Sequence, residues 1–200
     1  AKASGYYDPD HPFENRDPRL YQTVLLPRYS KVDGKVYQGH PDTIASYGQM
    51  GSYCTGYAHN KFHDREYDGP ITECGNDYYL MRYPEVLLSR LECELKAGTA
   101  IDQNILNNTI NKVRQRDSVD MPIVTTAEFS SDQELMDIIK RERRVELALE
   151  GGIRYWDLLR WEELHEANSG KFYGMKITDN PDQYEGKYII NDEGHVYIRD

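Results

Sequence analysis

Lys140 to Trp161 reads KRERRVELALEGGIRYWDLLRW, and this stretch decides the fold. Leu135, Ile138, Ile139, Val145 and Leu149 recur at helical spacing and mark one buried stripe of an amphipathic helix. Gly151-Gly152 supplies the left-handed stop that helix ends favour, and Arg154 opens a second helix behind it. Glu142, Glu146 and Glu150 stand four residues apart on a second row. Like charges at that spacing repel by about 0.2–0.5 kcal/mol per pair, so the row calls for basic side chains crossing it. Arg143 on the same helix, Arg154 and Arg160 after the glycines, and Arg114 and Arg116 upstream are the candidates. The expectation is a partly buried ion-pair lattice of Arg114, Arg116, Glu142, Arg143, Glu146, Glu150, Arg154 and Arg160, with a solvated charged face as the alternative.

Working outward, further helices are expected upstream. One covers Tyr79–Lys96, with Pro84 in its first turn and Gly98 just past its end. A second runs from an Asp102 cap to Asp117 and turns Ile105, Leu106, Ile110 and Val113 inward. The third starts at Ser131, which has capping-box spacing to Glu134, and ends at Gly151-Gly152; the fourth spans Arg154–Ala167. Cys93 reads as a small core residue, and Trp156 and Trp161 as core aromatics. Short connections make these helices hairpins, compatible with a tetratricopeptide-like stack.

Ahead of the helices the chain is rich in Pro and Tyr. Gln22–Leu26 reads as a short strand, and Tyr29–Tyr37 as a hairpin around Asp33-Gly34. Gln38–Gly56 reads as loop, Gly56–Phe62 as an extended segment and Asp64–Asn76 as turns. The tail is loop and short strand, with a second hairpin expected around Asn191–Gly194. The organisation is a loop-rich segment 1-78, a four-helix core 79-168 and a closing segment 169-200. These form one structural unit, read as a piece of a longer protein.

Composition narrows the function. At 200 residues with 29% charged side chains, the chain suits one domain with a real core. Its mean hydropathy is −0.80, and no apolar run approaches the ~20 residues of a membrane-spanning helix. A formal charge of −10 argues against nucleic acid as a partner, because phosphates need a basic face. Tyrosine is the outlier, at 17 against 4 Phe and 2 Trp, and most of it falls before residue 80. A flat apolar ring with a polar tip suits half-wet binding surfaces. The three cysteines set no disulfide framework, although Cys54 and Cys74 could bridge in an oxidising compartment.

No Gly-rich phosphate loop, Gly-x-Ser-x-Gly elbow or His-Glu-x-x-His motif is present. Cys54, His59, His63 and Cys74 match no standard zinc spacing, so neither metal nor cofactor is expected. The clustered glutamates lie among arginines that hold them ionised, which does not suit a general acid. The chain does not read as an enzyme.

Several motifs carry a resemblance. Arg82-Tyr83-Pro84-Glu85-Val86-Leu87-Leu88 is followed by Ile110-Asn111-Lys112-Val113-Arg114-Gln115-Arg116. Next come Glu142-Arg143-Arg144-x-Glu146-Leu147, Glu150-Gly151 and Arg154-Tyr155-Trp156-Asp157-Leu158-x-Arg160-Trp161. In this order they resemble the C-terminal half of SusD/RagB-type proteins. Arg16-Asp17-Pro18-Arg19 and Gly56–Phe62 look like the family's segments before the helices. Pro84 and Asp117 depart from the usual residues, and the family's N-terminal helical-repeat half and Pro-Ile-Pro closing segment are missing.

The resemblance implies a mainly α fold of tetratricopeptide-related helical hairpins, with a loop-rich region and short β-hairpins. It also implies a lipid-anchored protein on the surface of an outer membrane, with the anchor outside this stretch. Such a protein captures glycan for import through a SusC-like TonB-dependent transporter; some members take peptide. Ligand aromatics then belong on the irregular loops, which points to Tyr29, Tyr37, Tyr47, Tyr53 and Tyr57, with Asn60 and Arg65 as polar contacts. An intracellular helical adaptor binding a protein partner is the rival reading, and a hydrolase the third.

Overall fold

The structure, a computed structural model, describes residues 11, 13–26, 29–32, 35–37, 57–62, 73, 75, 77, 79–176, 189, 192 and 195–199. In chain order the elements are α1 (Arg19–Thr23), β1 (Val24–Leu25), β2 (Lys31–Val32), β3 (Lys35–Val36) and β4 (Ala58–His59). Then follow α2 (Tyr83–Lys96), α3 (Gln103–Asn108), α4 (Ile110–Arg114) and a 3-10 turn at Thr126–Glu128. The chain continues with α5 (Asp132–Glu146), α6 (Ile153–Arg160), α7 (Leu164–Asn168), β5 (Phe172–Lys176) and β6 (His195–Arg199). Among the described residues the fold is mainly helical. It divides into two compact units: Ala1–Asn15, Tyr21–Asn76 and Leu158–Asp200 make one, and Arg16–Leu20 with Asp77–Asp157 make the other.

In the helical unit, α2 starts at Tyr83 rather than at Tyr79. Pro84 has no N–H to give a carbonyl four residues back, so the helix cannot extend far upstream of it. Leu87, Leu88, Leu91, Glu92 and Leu95 form the buried side of α2. Cys93 falls on the opposite side and is exposed, which corrects its reading as a core residue. The core is completed by Leu106, Ile110, Val113, Val119, Val124, Leu135, Met136, Ile139 and Leu147, with α2 packed against α5 and α4.

The helix expected from Asp102 to Asp117 is two helices. Asp102 caps the first, its Oδ1 accepting from Ile105 N at 2.8 Å. Thr109, at φ −126 and ψ −99, then breaks the ladder. Its hydroxyl donates back to the Ile105 carbonyl at 2.6 Å, the local bond by which Thr competes with a helix.

Buried Asn111 holds the linker that follows. Its Nδ2 donates to the Val124 carbonyl at 2.9 Å, and its Oδ1 accepts from Val124 N at 2.7 Å. The amide thereby pairs with backbone as a neighbouring strand would. Asn111→Leu keeps the volume but orphans the N–H of Val124, which is 1% exposed, while Gln103 Nε2 still donates to the Val124 carbonyl at 3.1 Å. We expect a loss of about 2 kcal/mol by chemical denaturation, the cost of one unsatisfied buried donor. A loss within about 0.5 kcal/mol would mean that water satisfies Val124 instead.

At the start of α5, Ser131 Oγ accepts from Glu134 N at 3.3 Å. The Glu134 carboxylate turns to Ser130 N at 2.6 Å, one residue before the expected box. A reciprocal box forms instead between Thr125 and Glu128.

In the loop-rich unit, Gln22 and Thr23 close α1, so only Val24-Leu25 is left as strand. It pairs antiparallel with β4, Val24 opposite His59 and Leu25 opposite Ala58. β2 and β3 pair with Val32 opposite Lys35, leaving positions 33 and 34 between them, as a two-residue turn requires. That turn itself lies outside the described residues. β5 pairs with β6 across a long connection, residues 177–194. Leu25, Tyr37 and Ala58 form a small core.

Candidate functional site

Within the helical unit, arginines converge on the glutamate row. Glu146, 1% exposed, is the hub. Its Oε1 accepts from Arg82 Nη2 at 2.9 Å and Arg116 Nη1 at 2.5 Å, and its Oε2 from Arg19 Nη1 at 3.1 Å. Glu142 takes Arg19 at 2.5 Å on one oxygen and Arg114 at 2.7 Å on the other. Arg19 also grips Asp17 in a two-point fork at 2.9 and 2.6 Å. Arg143 forks onto Asp157, both bonds 2.9 Å, and donates to Ser89 Oγ at 2.9 Å.

Arg82 explains where α5 stops. It forks onto Glu150 at 2.9 and 2.6 Å and donates to the Glu146 carbonyl at 3.2 Å. A carbonyl left open at a helix end gains a cationic cap, which the helix dipole also favours. Leu149 turns left-handed at φ 64, and Gly151 and Gly152 follow at 46 and 77. The expected stop at the glycine pair thus begins earlier, after Glu146.

Burial alone would raise the Glu146 carboxyl; bonds from Arg116, Arg82 and Arg19 outweigh it and hold the group below its ordinary value. Arg19 shows the converse: burial would lower it, and Asp17 and Glu142 hold it well above its ordinary value. Glu146 is thereby fixed as a carboxylate, not poised to give up a proton. Among the described residues no group of His, Cys, Asp or Glu is arranged to hold a metal ion.

Of the other expected lattice members, Arg154 is half-buried on α6, and Arg160 lies over the Trp161 ring at 4.6 Å. Arg19, Arg82, Asp17 and Asp157 join the network without having been expected in it. Their signal was present, since each belongs to a quoted motif, but nothing in the helical period links Arg19 to a row more than 120 residues away. Trp156 is 60% exposed and Trp161 half-buried, which corrects the expectation of core tryptophans. The buried side of α6 is set by Asp157, drawn in by Arg143, and by Leu158. Tyr155 and Trp156 lie off that side.

The loop-rich unit holds an aromatic cluster. Tyr21 and Tyr29 stack with centroids 5.4 Å apart, and the Phe13 ring meets Tyr29 and Tyr57 edge-on at 6.0 and 6.2 Å. Tyr21 donates its hydroxyl to the Phe13 carbonyl, tying the two segments together. Tyr29 and Tyr57 remain 48% and 41% exposed, so each offers part of a ring to solvent. Asn60 is buried, and its Nδ2 donates to the Tyr21 and Gln22 carbonyls at 2.9 and 3.4 Å, which pins the β4 segment beneath the cluster. Tyr37 is buried in the small core at 8% exposure. Tyr47, Tyr53 and Arg65 lie outside the described residues. Phe13 and Tyr21 were not expected in the site; spacing along irregular chain has no period that would reveal them.

The profile of the SusD family matches residues 1–195. A SusD-like carbohydrate-binding protein from Bacteroides fragilis is similar at 33% identity and a TM-score of 0.79, over 99% of this chain and 39% of that one. A second SusD-like protein from Bacteroides fragilis is similar at 25% identity and a TM-score of 0.64, over 83% of this chain and 32% of that one. No curated protein matches. The chain therefore spans well under half the length of these solved relatives. With nearly every residue inside the family profile and the helices and ion pairs described above, this chain belongs to the SusD family.

Proposed function

We propose that the protein captures glycan at the cell surface, without cleaving it, for import through a SusC-like TonB-dependent transporter. The observation that carries this is the aromatic cluster of Phe13, Tyr21, Tyr29 and Tyr57 with two half-exposed tyrosines. Sugar rings present C–H faces to aromatic planes, and their hydroxyls seek polar tips such as a tyrosine hydroxyl. Membership of a family with a carbohydrate-binding relative supports the ligand class. Outer-membrane placement and the transporter partner follow from the family reading. Tyr47, Tyr53 and Arg65 stay in the proposed contact set; Asn60 acts through the backbone it holds, and Tyr37 through the core.

A helical adaptor remains the second reading because α2 and its approach expose Leu80, Met81, Tyr83 and Val86. Calorimetry separates the two. Tyr29→Ala with Tyr57→Ala should weaken oligosaccharide binding by about tenfold or more, since each aromatic contact is worth roughly 0.5–1.5 kcal/mol beyond its area. The melting temperature should fall modestly, because Tyr29 and Tyr57 are half in water but give up their ring contacts with Tyr21 and Phe13. Unchanged affinity in the double variant would remove the cluster from the site.

A further inference from the structure

We propose that Ser30 is a positioning residue of the same site: its hydroxyl closes the chain around Tyr29 and so fixes the ring that meets the ligand. This rests on the glycan-binding reading above. Tyr29 is the most exposed ring of the cluster, at 48%. Among the described residues its own hydroxyl is in no hydrogen bond. The ring is held by stacking on Tyr21 and by the edge of Phe13, contacts that allow several geometries. Its orientation therefore depends on where the backbone puts it.

That backbone is pinned at Leu26 and Ser30. Leu26 is fully enclosed, at 0% exposure. Its carbonyl accepts from Tyr29 N at 3.2 Å and from Ser30 N at 2.9 Å. Its N–H donates in return to Ser30 Oγ at 2.9 Å. The Ser30 carbonyl accepts from Tyr37 N at 2.8 Å, and Tyr37 belongs to the small core with Leu25 and Ala58. Tyr29 is thus held between an enclosed residue and one tied to that core. The backbone bonds would form with nearly any residue at position 30, whereas the bond from Leu26 N needs a short side-chain acceptor such as the hydroxyl of Ser or Thr. Without it the Leu26 N–H is a buried donor with no partner. The chain would then open to let water reach it and carry Tyr29 along.

Calorimetry on the full chain with starch, β-glucan, xylan and mannan fragments tests this as a cycle. Ser30→Ala should weaken binding of whichever fragment the wild type takes by about threefold to tenfold, the worth of one aromatic contact. In a Tyr29→Ala background the same change should cost no further affinity, because the ring through which Ser30 acts is gone. Ser30→Thr keeps the hydroxyl and should bind as the wild type does. Asn111→Leu also orphans a buried N–H, in the helical unit, and lowers the melting temperature, yet should leave affinity unchanged. The aromatic NMR resonances of Tyr29 give a reading that needs no ligand: they should move in Ser30→Ala and stay in place in Asn111→Leu. Full affinity in Ser30→Ala, or losses that simply add in the double variant, would overturn the proposal, as would Tyr29 resonances that Ser30→Ala leaves in place. A wild type that binds no fragment would instead remove the glycan reading, and the Tyr29 resonances would then decide the positioning role alone.

Discussion

Glu146→Ala is expected to destabilise the protein by about 3–5 kcal/mol, the range for breaking a buried ion pair by deleting one partner. The carboxylate is almost fully enclosed, and guanidinium groups from Arg19, Arg82 and Arg116 close on it. Deletion leaves those cations facing one another where one anion had separated them. Arg19 keeps Asp17 and Glu142, and Arg82 keeps Glu150, which limits the damage. Arg116 has Glu146 as its described carboxylate partner, but its side chain is 32% exposed and can turn to water, so the cost falls mainly on the more deeply enclosed Arg19 and Arg82. Chemical denaturation reads the effect directly. A loss within about 0.5 kcal/mol would mean that the arginines swing to solvent at little cost and that the row behaves as a wet surface.

The same carboxylate shapes the acid limb of stability. Its folded pKa lies below the ordinary 4.5, and that of Asp17 below 3.8, in each case because arginine bonds outweigh the opposing effect of burial. A group depressed on folding stabilises the protein above its unfolded pKa, and this stabilisation is lost as pH falls through the folded value. Stability should therefore be level with respect to these groups above about pH 4.5 and fall below it. Glu146→Gln should be less stable at neutral pH and show a shallower acid limb. An acid limb of unchanged slope would show that Glu146 titrates alike in both states.

What could be read from residues alone follows from which forces act over short distances. The Leu and Ile positions of α2 and α5 obey the helical period, so both helices and much of their buried faces were legible; Leu149, expected on the buried stripe, lies past the end of α5 at 53% exposure, and Val145 is only half-buried. The glutamate row was legible for the same reason, as a repulsion that needs an answer. The answer came partly from Arg19, whose partners are distant in sequence, and from Arg82, which sits in the extended approach to α2. Periodicity is silent about both. Trp156 was misjudged because size and hydropathy favour burial, whereas the facing of α6 follows the charged Asp157 next to it. The aromatic cluster was legible only as composition, an excess of tyrosine on irregular chain. Which rings meet depends on backbone bonds such as Asn60 to Tyr21, and no spacing rule encodes those.

Arg143→Met should cost about 3–5 kcal/mol, and adding Asp157→Leu should return most of it. Arg143 lies on α5 and Asp157 on α6; the two side chains are 4% and 5% exposed and joined by a two-point fork. The single variant takes the two-point cationic partner from a carboxylate in low-dielectric surroundings, where an uncompensated charge is far more costly than in water. It also leaves Ser89 Oγ without this donor, so α2 loses its link to the pair. The double variant buries two apolar side chains of similar volume, and such replacements are often neutral or stabilising. The coupling energy of the four-variant cycle isolates the pair, provided neither single change forms a new contact. A large coupling with a near-native double variant would assign the fork to specificity: it fixes which side of α6 faces inward and so keeps Tyr155 and Trp156 outward. Tryptophan emission reports that second quantity independently, because Trp156 is one of only two tryptophans and is 60% exposed. A double variant as stable as the wild type but with blue-shifted emission would show α6 rotated, its aromatic pair turned in. Unshifted emission in that variant would show that Leu158 alone sets the facing of α6, and the fork would then count only as a buried pair.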